Sequence, residues 1–199
     1  MRPNLSLFLV ALSLLPLPSL AEQTAITRVY SQIVAYGVPD GFVPAFEDTQ
    51  PGFYIQEAVP RGQSLQDWTQ MLTMTGAEGQ ATTAPEALAQ QIAQGFAAAC
   101  PDSVSAVALP APAIPGARAS FAAHVACGNA GGRAEELMLF VFAGAQDLYT
   151  VQWAERSAAR ATPITLDPGV WMPRYDRLVS SIRVCDPVPG EAPPFASCN

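Results

Sequence analysis

The sequence predicts an α+β fold, in which an antiparallel sheet carries two main helices packed on it. Three observations predict this class: alternating apolar and polar residues recur before and after an amphipathic helix, three strand patterns follow one another across short glycine-bearing connections, and a second amphipathic stripe closes the chain. Alternation with a period of two is typical of strands, and apolar residues three and four apart are typical of helices.

The first 21 residues are predicted to be a secretory signal peptide. Arg2 supplies a positive charge, an apolar run follows, and small residues at Ser19 and Ala21 precede the expected cleavage after Ala21. Prolines interrupt the run, whereas a membrane-spanning helix needs about 20 unbroken apolar residues. We therefore expect an exported protein, periplasmic or secreted, with one domain over 22–199 and no transmembrane segment after cleavage.

Two strands are predicted early in the mature chain. The segment "SQIVAYGVPDGFVPAF" is predicted to be a strand that ends in a Pro-Asp-Gly turn and continues as an extended piece around Phe42 and Val43. The segment "GFYIQEAV" places Phe53 and Ile55 on one face and Tyr54 on the other, which predicts a strand with two unlike faces.

The stretch "QEAVPRGQSLQDWTQMLTMTG" is predicted to run from a strand through a loop into a third strand. Ser64 and Asp67 have the spacing of a weak capping box, which predicts one helical turn. The loop concentrates Arg61, Asp67 and Trp68, so these side chains are candidates for contact with a ligand or partner. The alternative is that Trp68 only anchors the loop against the sheet edge.

The first helix is predicted in "TTAPEALAQQIAQGFAAAC". Thr83 and Glu86 have the spacing of a capping box, and Leu88, Ile92 and Phe96 form an apolar stripe. The segment that follows, "PDSVSAVALPAPAIPGAR", contains four prolines and is expected to hold at most one short strand.

Three more strands are predicted to form an antiparallel meander, in "RASFAAHVAC", "EELMLFVFA" and "DLYTVQWAE". The middle segment is apolar on both faces, which predicts a central covered strand. A closing helix is predicted over 173–184, because an apolar stripe recurs at helical spacing and consists of Trp171, Tyr175, Leu178, Ile182 and Cys185. Asp167-Pro168 gives a start signal upstream, but Pro173 predicts that Asp167 to Met172 form a separate turn.

The four cysteines are expected to form two disulfides, because an exported protein folds in an oxidising compartment. No C-x-x-C motif is present, which argues against a zinc ribbon or a thioredoxin-type site. Of the three pairings, we favour Cys100–Cys127, from the end of the first helix to a strand. Its complement, Cys185–Cys198, would tie the proline-rich tail 186–199 to the end of the closing helix.

This order of three strands, a helix, a meander and a closing helix, with "VPDGFVPAF" after the first strand, resembles the α/β sandwich of the PsbP-like fold. In that family a "P-x-G" motif also follows the first strand. The resemblance covers most of residues 25–185 and implies non-enzymatic roles in binding and assembly. It transfers no functional residue to this chain.

Several function classes are excluded by what the sequence lacks. The expected mature chain has nine arginines against 17 acidic residues, a net charge of −8, so no basic stripe is available for nucleic acid. It has no lysine for Schiff-base chemistry, no phosphate-binding glycine loop, no G-x-S-x-G nucleophile elbow and a single histidine. We therefore expect no cofactor and no metal site.

His124 is the most informative single residue. We expect it either hydrogen-bonded beneath a covering helix or in a polar patch with Thr150 or Gln152 that contacts a ligand. Carboxylate pairs are weaker candidates for catalysis, since paired acids hydrolyse glycosides when they lie about 5–10 Å apart. The pairs in this sequence are Glu47–Asp48, Glu135–Glu136, and Glu57 with Asp67.

Two functions stay open at this point. The missing motifs and expected disulfides favour a non-catalytic periplasmic binding or assembly module, which acts on a small ligand or an envelope protein partner. The alternative is a periplasmic hydrolase with an unfamiliar site that uses His124 or a carboxylate. A concave pocket that holds these groups would favour the hydrolase, and an exposed apolar patch would favour a partner surface.

Overall fold

The structure is a computed structural model that describes residues 23–199, so the predicted signal peptide lies outside the described residues. The strands are β1 (Gln23–Val29), β2 (Gln32–Val38), β3 (Phe42–Gln50), β4 (Phe53–Pro60), β5 (Gln70–Ala77), β6 (Val104–Leu109), β7 (Ala119–Ala130), β8 (Arg133–Ala143), β9 (Leu148–Ala158) and β10 (Arg183–Cys185). The helices are α1 (Pro85–Ala99) and α2 (Pro168–Ser181), and a short 3-10 helix spans Ala196–Cys198.

The strands form two antiparallel sheets, which confirms the α+β class. A small sheet has the order β1-β2-β10, and a seven-stranded sheet has the order β3-β4-β5-β9-β8-β7-β6. The meander predicted from the sequence is β7–β8–β9. The pairing of β5 with β9 joins the two halves of the chain in the middle of the large sheet.

The two faces of the large sheet are covered differently. On the α2 face, the small sheet and α2 enclose the main core, which includes Phe140, Phe142 and Trp171. On the α1 face, α1 contacts β6, β7 and β8. Over β4, β5 and β9 the α1 face receives the β4–β5 loop, residues 61–69, whose Trp68 is buried. This uneven cover leaves room for a recess on the α1 face.

The sequence patterns do not predict β1 or β10, and both belong to the small sheet. The closing helix begins at Pro168 instead of Pro173, because Asp167 Oδ1 accepts a hydrogen bond from Gly169 N at 2.9 Å and caps the helix. Pro173 therefore lies inside α2, and the separate turn predicted before it is wrong. The helix ends at Ser181, because the next residue is extended and leads into β10.

The capping box predicted for Thr83 and Glu86 is also wrong. Ala84 is the N-cap residue of α1 and makes no side-chain capping bond. Pro85 begins the helix, and Thr83 Oγ1 instead donates to Gln80 Oε1 at 3.2 Å. Proline needs no partner for a backbone N–H in the first turn, so this helix can begin without a side-chain cap.

Both disulfides have the pairing favoured from the sequence, Cys100–Cys127 and Cys185–Cys198. Cys198 is fully buried beside Ile33 and Ala35 of β2, so the tail folds back on the small sheet. Two disulfides are consistent with an exported protein. Within residues 23–199, each helix is too short or too polar to cross a membrane.

Asp147 joins three parts of the chain at one end of the large sheet. Its carboxylate accepts hydrogen bonds from Ser31 N at 3.1 Å, Ser31 Oγ at 2.5 Å, Gly79 N at 2.8 Å and Tyr149 OH at 3.2 Å. Burial raises the pKa of the Asp147 carboxyl, but the hydrogen bonds from Ser31 and Gly79 outweigh burial and hold this pKa below its usual range.

We expect Asp147→Asn to lower the free energy of unfolding by about 2 kcal/mol at neutral pH, because hydrogen bonds to a charged group contribute about 1.5–3 kcal/mol. The folded-state pKa is depressed, so this stabilisation is present above about pH 4 and is lost as the pH falls below it. Urea unfolding at neutral pH and at about pH 2.5 measures both values. An equal deficit at both pH values would contradict the assignment; Asp40→Asn, at an exposed turn, is the control.

Candidate functional site

The five candidate residues predicted from the sequence do not form one site. Trp68 and Gln152 line a common recess on the α1 face. Arg61 and Asp67 are exposed on the β4–β5 loop, where Asp67 forms an ion pair with Arg133 at 3.4 Å on the surface. His124 lies on the α2 face, away from the other four.

The predicted patch of His124 with Thr150 or Gln152 is therefore wrong. His124 on β7 is opposite Met138 on β8, and Met138 is opposite Trp153 on β9. Directly opposed residues share a face and neighbours along a strand alternate, so Trp153 lies on the face of His124 and Gln152 on the other. The alternation of residues along one strand could not show this, because the residues that share a face on different strands depend on how those strands pair.

His124 is fully buried beneath α2, as expected of a histidine under a covering helix, but among the described residues it lacks the hydrogen bond that this alternative included. Its ring packs against Trp171 with 5.1 Å between ring centroids, and Nε2 lies 3.4 Å from Glu136 Oε2. Neither ring nitrogen makes a hydrogen bond of good geometry to any residue in 23–199. The ring has no solvent-exposed surface, so it offers no opening to a substrate.

The side chains around His124 form a closed cluster that holds α2 on the sheet; its members are His124, Glu136, Glu155, Trp171 and Arg174. Trp171 Nε1 donates to Glu136 Oε2 at 3.2 Å. Burial raises the pKa of Glu136, but the contacts from His124 and Trp171 outweigh burial, and this pKa lies below its usual range. Arg174 donates to Glu155, which is directly opposite Glu136, and so compensates the repulsion between the two carboxylates.

The recess on the α1 face is the better candidate for a binding site. Its volume is about 380 Å³, within the range of about 300–1,000 Å³ usual for ligand pockets. The floor is the surface of β4, β5, β9 and β8. Glu57, Thr73 and Gln152 lie side by side on it, because Glu57 is opposite Thr73 and Thr73 is opposite Gln152.

The β4–β5 loop builds one wall of the recess. Ser64 and Asp67 exchange two backbone hydrogen bonds of 3.2 Å, so the segment is a closed turn and the predicted helical turn is wrong. The residue after this turn is Trp68, which is buried against the sheet. The guanidinium of Arg156 stacks on the Trp68 ring at 3.7 Å, and Arg156 Nε donates to Glu135 Oε2 at 3.0 Å.

A second recess of about 370 Å³ adjoins the first and shares Phe96 and Glu135 with it. It lies beneath the second half of α1, and its remaining lining residues are uncharged: Ile92, Gly95, Ala99, Cys127 and Ala130. We call the two recesses together the α1 groove. It extends from β4 to β7, a distance of about 19 Å at four inter-strand spacings of about 4.8 Å.

Gly95 marks the uncharged part of the α1 groove. A glycine inside a helix costs about 1 kcal/mol relative to alanine. A Cβ added to Gly95 would meet no atom within 4 Å, so packing against the sheet does not require a glycine here. Its effect is to keep this part of the groove open.

None of the three predicted carboxylate pairs forms a catalytic dyad. Glu47 and Asp48, and likewise Glu135 and Glu136, are neighbours on a strand, so each pair is split between opposite faces. Asp67 is exposed outside the recess that Glu57 lines. Glu57 and Glu135 share this recess, but three inter-strand spacings, about 14 Å, separate their strands, more than the 5–9.5 Å or so between glycosidase carboxylates.

Sequence reasoning missed Thr73, Phe96 and Arg156 as lining residues. One signal could have placed Arg156. The short connection that makes Ala143 opposite Leu148 fixes the register of the hairpin, and counting back along it places Glu135 opposite Arg156. No group of three or more His, Cys, Asp or Glu side chains in residues 23–199 could hold a metal ion.

Comparisons with known proteins do not assign a family. No protein-family model matches the chain, and no curated protein does. A solved structure from Bacteroides thetaiotaomicron VPI-5482 is similar with a TM-score of 0.38 and 14% identity, over 79% of this chain and 46% of that one. The chain thus spans less than half the length of that protein, and a likeness at this level supports no argument about function.

Proposed function

We propose that this is an exported, non-catalytic binding protein of the periplasm that holds a small amphipathic molecule in the α1 groove. The observation that carries the proposal is the change of chemistry along the groove. Glu57, Thr73 and Gln152 lie at one end, and uncharged side chains around Gly95 line the other. Ligand sites in proteins usually combine apolar walls with a few polar groups that orient the ligand.

The closed cluster on the α2 face favours binding over hydrolysis. His124 has no exposed surface, and the two acids of the groove lie on strands three spacings apart. The resemblance to the PsbP-like fold, which is still a prediction, also implies a non-enzymatic role. The disulfides support export, and the periplasmic location is part of the proposal.

The proposal is tested with a neutral amphiphile, dodecyl maltoside below its micelle concentration, titrated into the purified mature chain by calorimetry. We expect saturable binding by the wild-type protein. Gly95→Leu should weaken it at least about tenfold, since the new side chain fills the uncharged end of the groove and contacts there would be lost.

Two control variants separate occlusion from a general effect on the helix. Gly95→Ala should bind as the wild type does and raise the stability by about 1 kcal/mol, because alanine is the better helix former. Gln94→Leu adds the same apolar side chain at an exposed neighbouring position. No binding by the wild type, or equal binding by Gly95→Leu and wild type, would contradict the proposal.

A further inference from the structure

Glu57 is the acid of the α1 groove that lacks a partner. Its side chain is half-buried, and no hydrogen bond or ion pair joins it to another residue in the described part of the chain. Glu135, at the middle of the groove, is paired with Arg156. Burial raises the pKa of the Glu57 carboxyl. Removing a carboxylate from water is unfavourable unless a cation or hydrogen-bond donor compensates it, so Glu57 lacks the compensation that Glu135 has.

The neighbours of Glu57 on the groove floor add further acceptors. Gln152 Nε2 donates a hydrogen bond to Thr150 Oγ1 at 3.2 Å. The side-chain carbonyl oxygen of Gln152 is therefore free to accept a hydrogen bond from a ligand. Thr73 presents a hydroxyl between Glu57 and Gln152. Arg156, the cation in the lining, is held by Glu135 and by the ring of Trp68. A negatively charged head group bound here would therefore be repelled by Glu57, and the cation Arg156 is already paired.

We propose that the ligand of the α1 groove carries a positively charged nitrogen, an amine or a quaternary ammonium, bound at Glu57 with its apolar portion beside Gly95. The inference rests on the proposed function and names the chemical class of its ligand. The charge of the protein is complementary to such a ligand, because the expected mature chain has a net charge of −8. Opposite charge also speeds the diffusional encounter of ligand and protein.

The test uses three probes with the same dodecyl chain, each below its micelle concentration: dodecyltrimethylammonium, dodecyl maltoside and dodecyl sulfate. We expect the wild-type protein to bind the cationic probe about tenfold more tightly than the neutral one, and the sulfate most weakly. Circular dichroism at each titration end point verifies that the protein is still folded.

Glu57→Gln is the discriminating variant, since it keeps the shape of the side chain and removes its charge. We expect this substitution to weaken the cationic probe about tenfold and to leave the maltoside unchanged. Asp67→Asn is the matched control, because it removes the same charge from the exposed loop beside the groove. If both variants lost the same affinity for the cationic probe, the effect would reflect only the general attraction between an acidic protein and a cation. This result would overturn the inference.

The remaining outcomes separate this inference from the proposed function. If the cationic and neutral probes bind equally well and Glu57→Gln changes neither, the cationic head group is wrong. In that case the proposed function would still hold if the protein binds the maltoside and Gly95→Leu weakens this binding. If none of the three probes binds, the proposed function and this inference fail together.

Discussion

Trp171→Ala is expected to lower the free energy of unfolding by about 3–5 kcal/mol, the usual cost of removing a large buried aromatic side chain. Trp171 is 2% exposed and is the centre of the cluster under α2. Its ring contacts His124, its N–H donates to Glu136, and the Arg174 guanidinium lies 4.5 Å from its centroid. The substitution therefore leaves a cavity and removes a hydrogen bond from a partly buried carboxylate.

Urea unfolding of three variants separates these effects. Trp171→Phe keeps most of the ring but loses the N–H, so we expect a smaller loss of about 1–2 kcal/mol. Val170→Ala, at a 43% exposed neighbour on the same helix, should change the stability by less than about 0.5 kcal/mol. A loss below about 1 kcal/mol for Trp171→Ala would show that α2 is not fastened to the sheet through this residue.

Replacing both Cys100 and Cys127 with serine is expected to lower the free energy of unfolding by about 3.5 kcal/mol. The cysteines are 27 residues apart, and the chain-entropy model gives this value for a closed loop of that length. The disulfide also ties down the second half of α1, which covers the second recess of the α1 groove. Pro85 and Ala89, the buried residues of this helix, are both in its first half.

The second disulfide is the matched control. Cys185 and Cys198 are 13 residues apart, so their replacement by serine should cost about 3 kcal/mol. Hydrogen exchange should distinguish the two pairs: loss of Cys100–Cys127 should accelerate exchange in the second half of α1, and loss of Cys185–Cys198 should not. Unchanged exchange in both variants would show that packing alone holds the helix over the groove.

The features that were predicted correctly from the sequence depend on neighbours in the chain. The meander β7–β9 follows from short connections, which bring consecutive strands together and fix their register. The pairing of Cys100 with Cys127 joins the end of the first helix to the first strand of the meander, as expected. Trp68 is buried against the sheet, in agreement with the alternative of a loop anchor, and its contact with a ligand or partner stays a prediction.

The features that were missed depend on contacts between distant parts of the chain. The pairing of β5 with β9 brings Thr73 beside Gln152, although 79 positions separate them in the sequence, and no local pattern encodes it. The small sheet takes β10 from a segment whose period is helical, because pairing with β2 outweighs local preference there. The position of α2 on the sheet determines what covers His124, and strand parity carries no information about it.

The place of β9 in the large sheet also determines the order in which the chain can fold. Strand β5 finds its second neighbour only when residues 148–158 are present, so β3, β4 and β5 cannot join the rest of the large sheet before β9 exists. Pairings of such long range slow folding relative to helical proteins. A chain truncated before β9 would expose the edge of β5, a template for pairing with other chains, and is expected to aggregate.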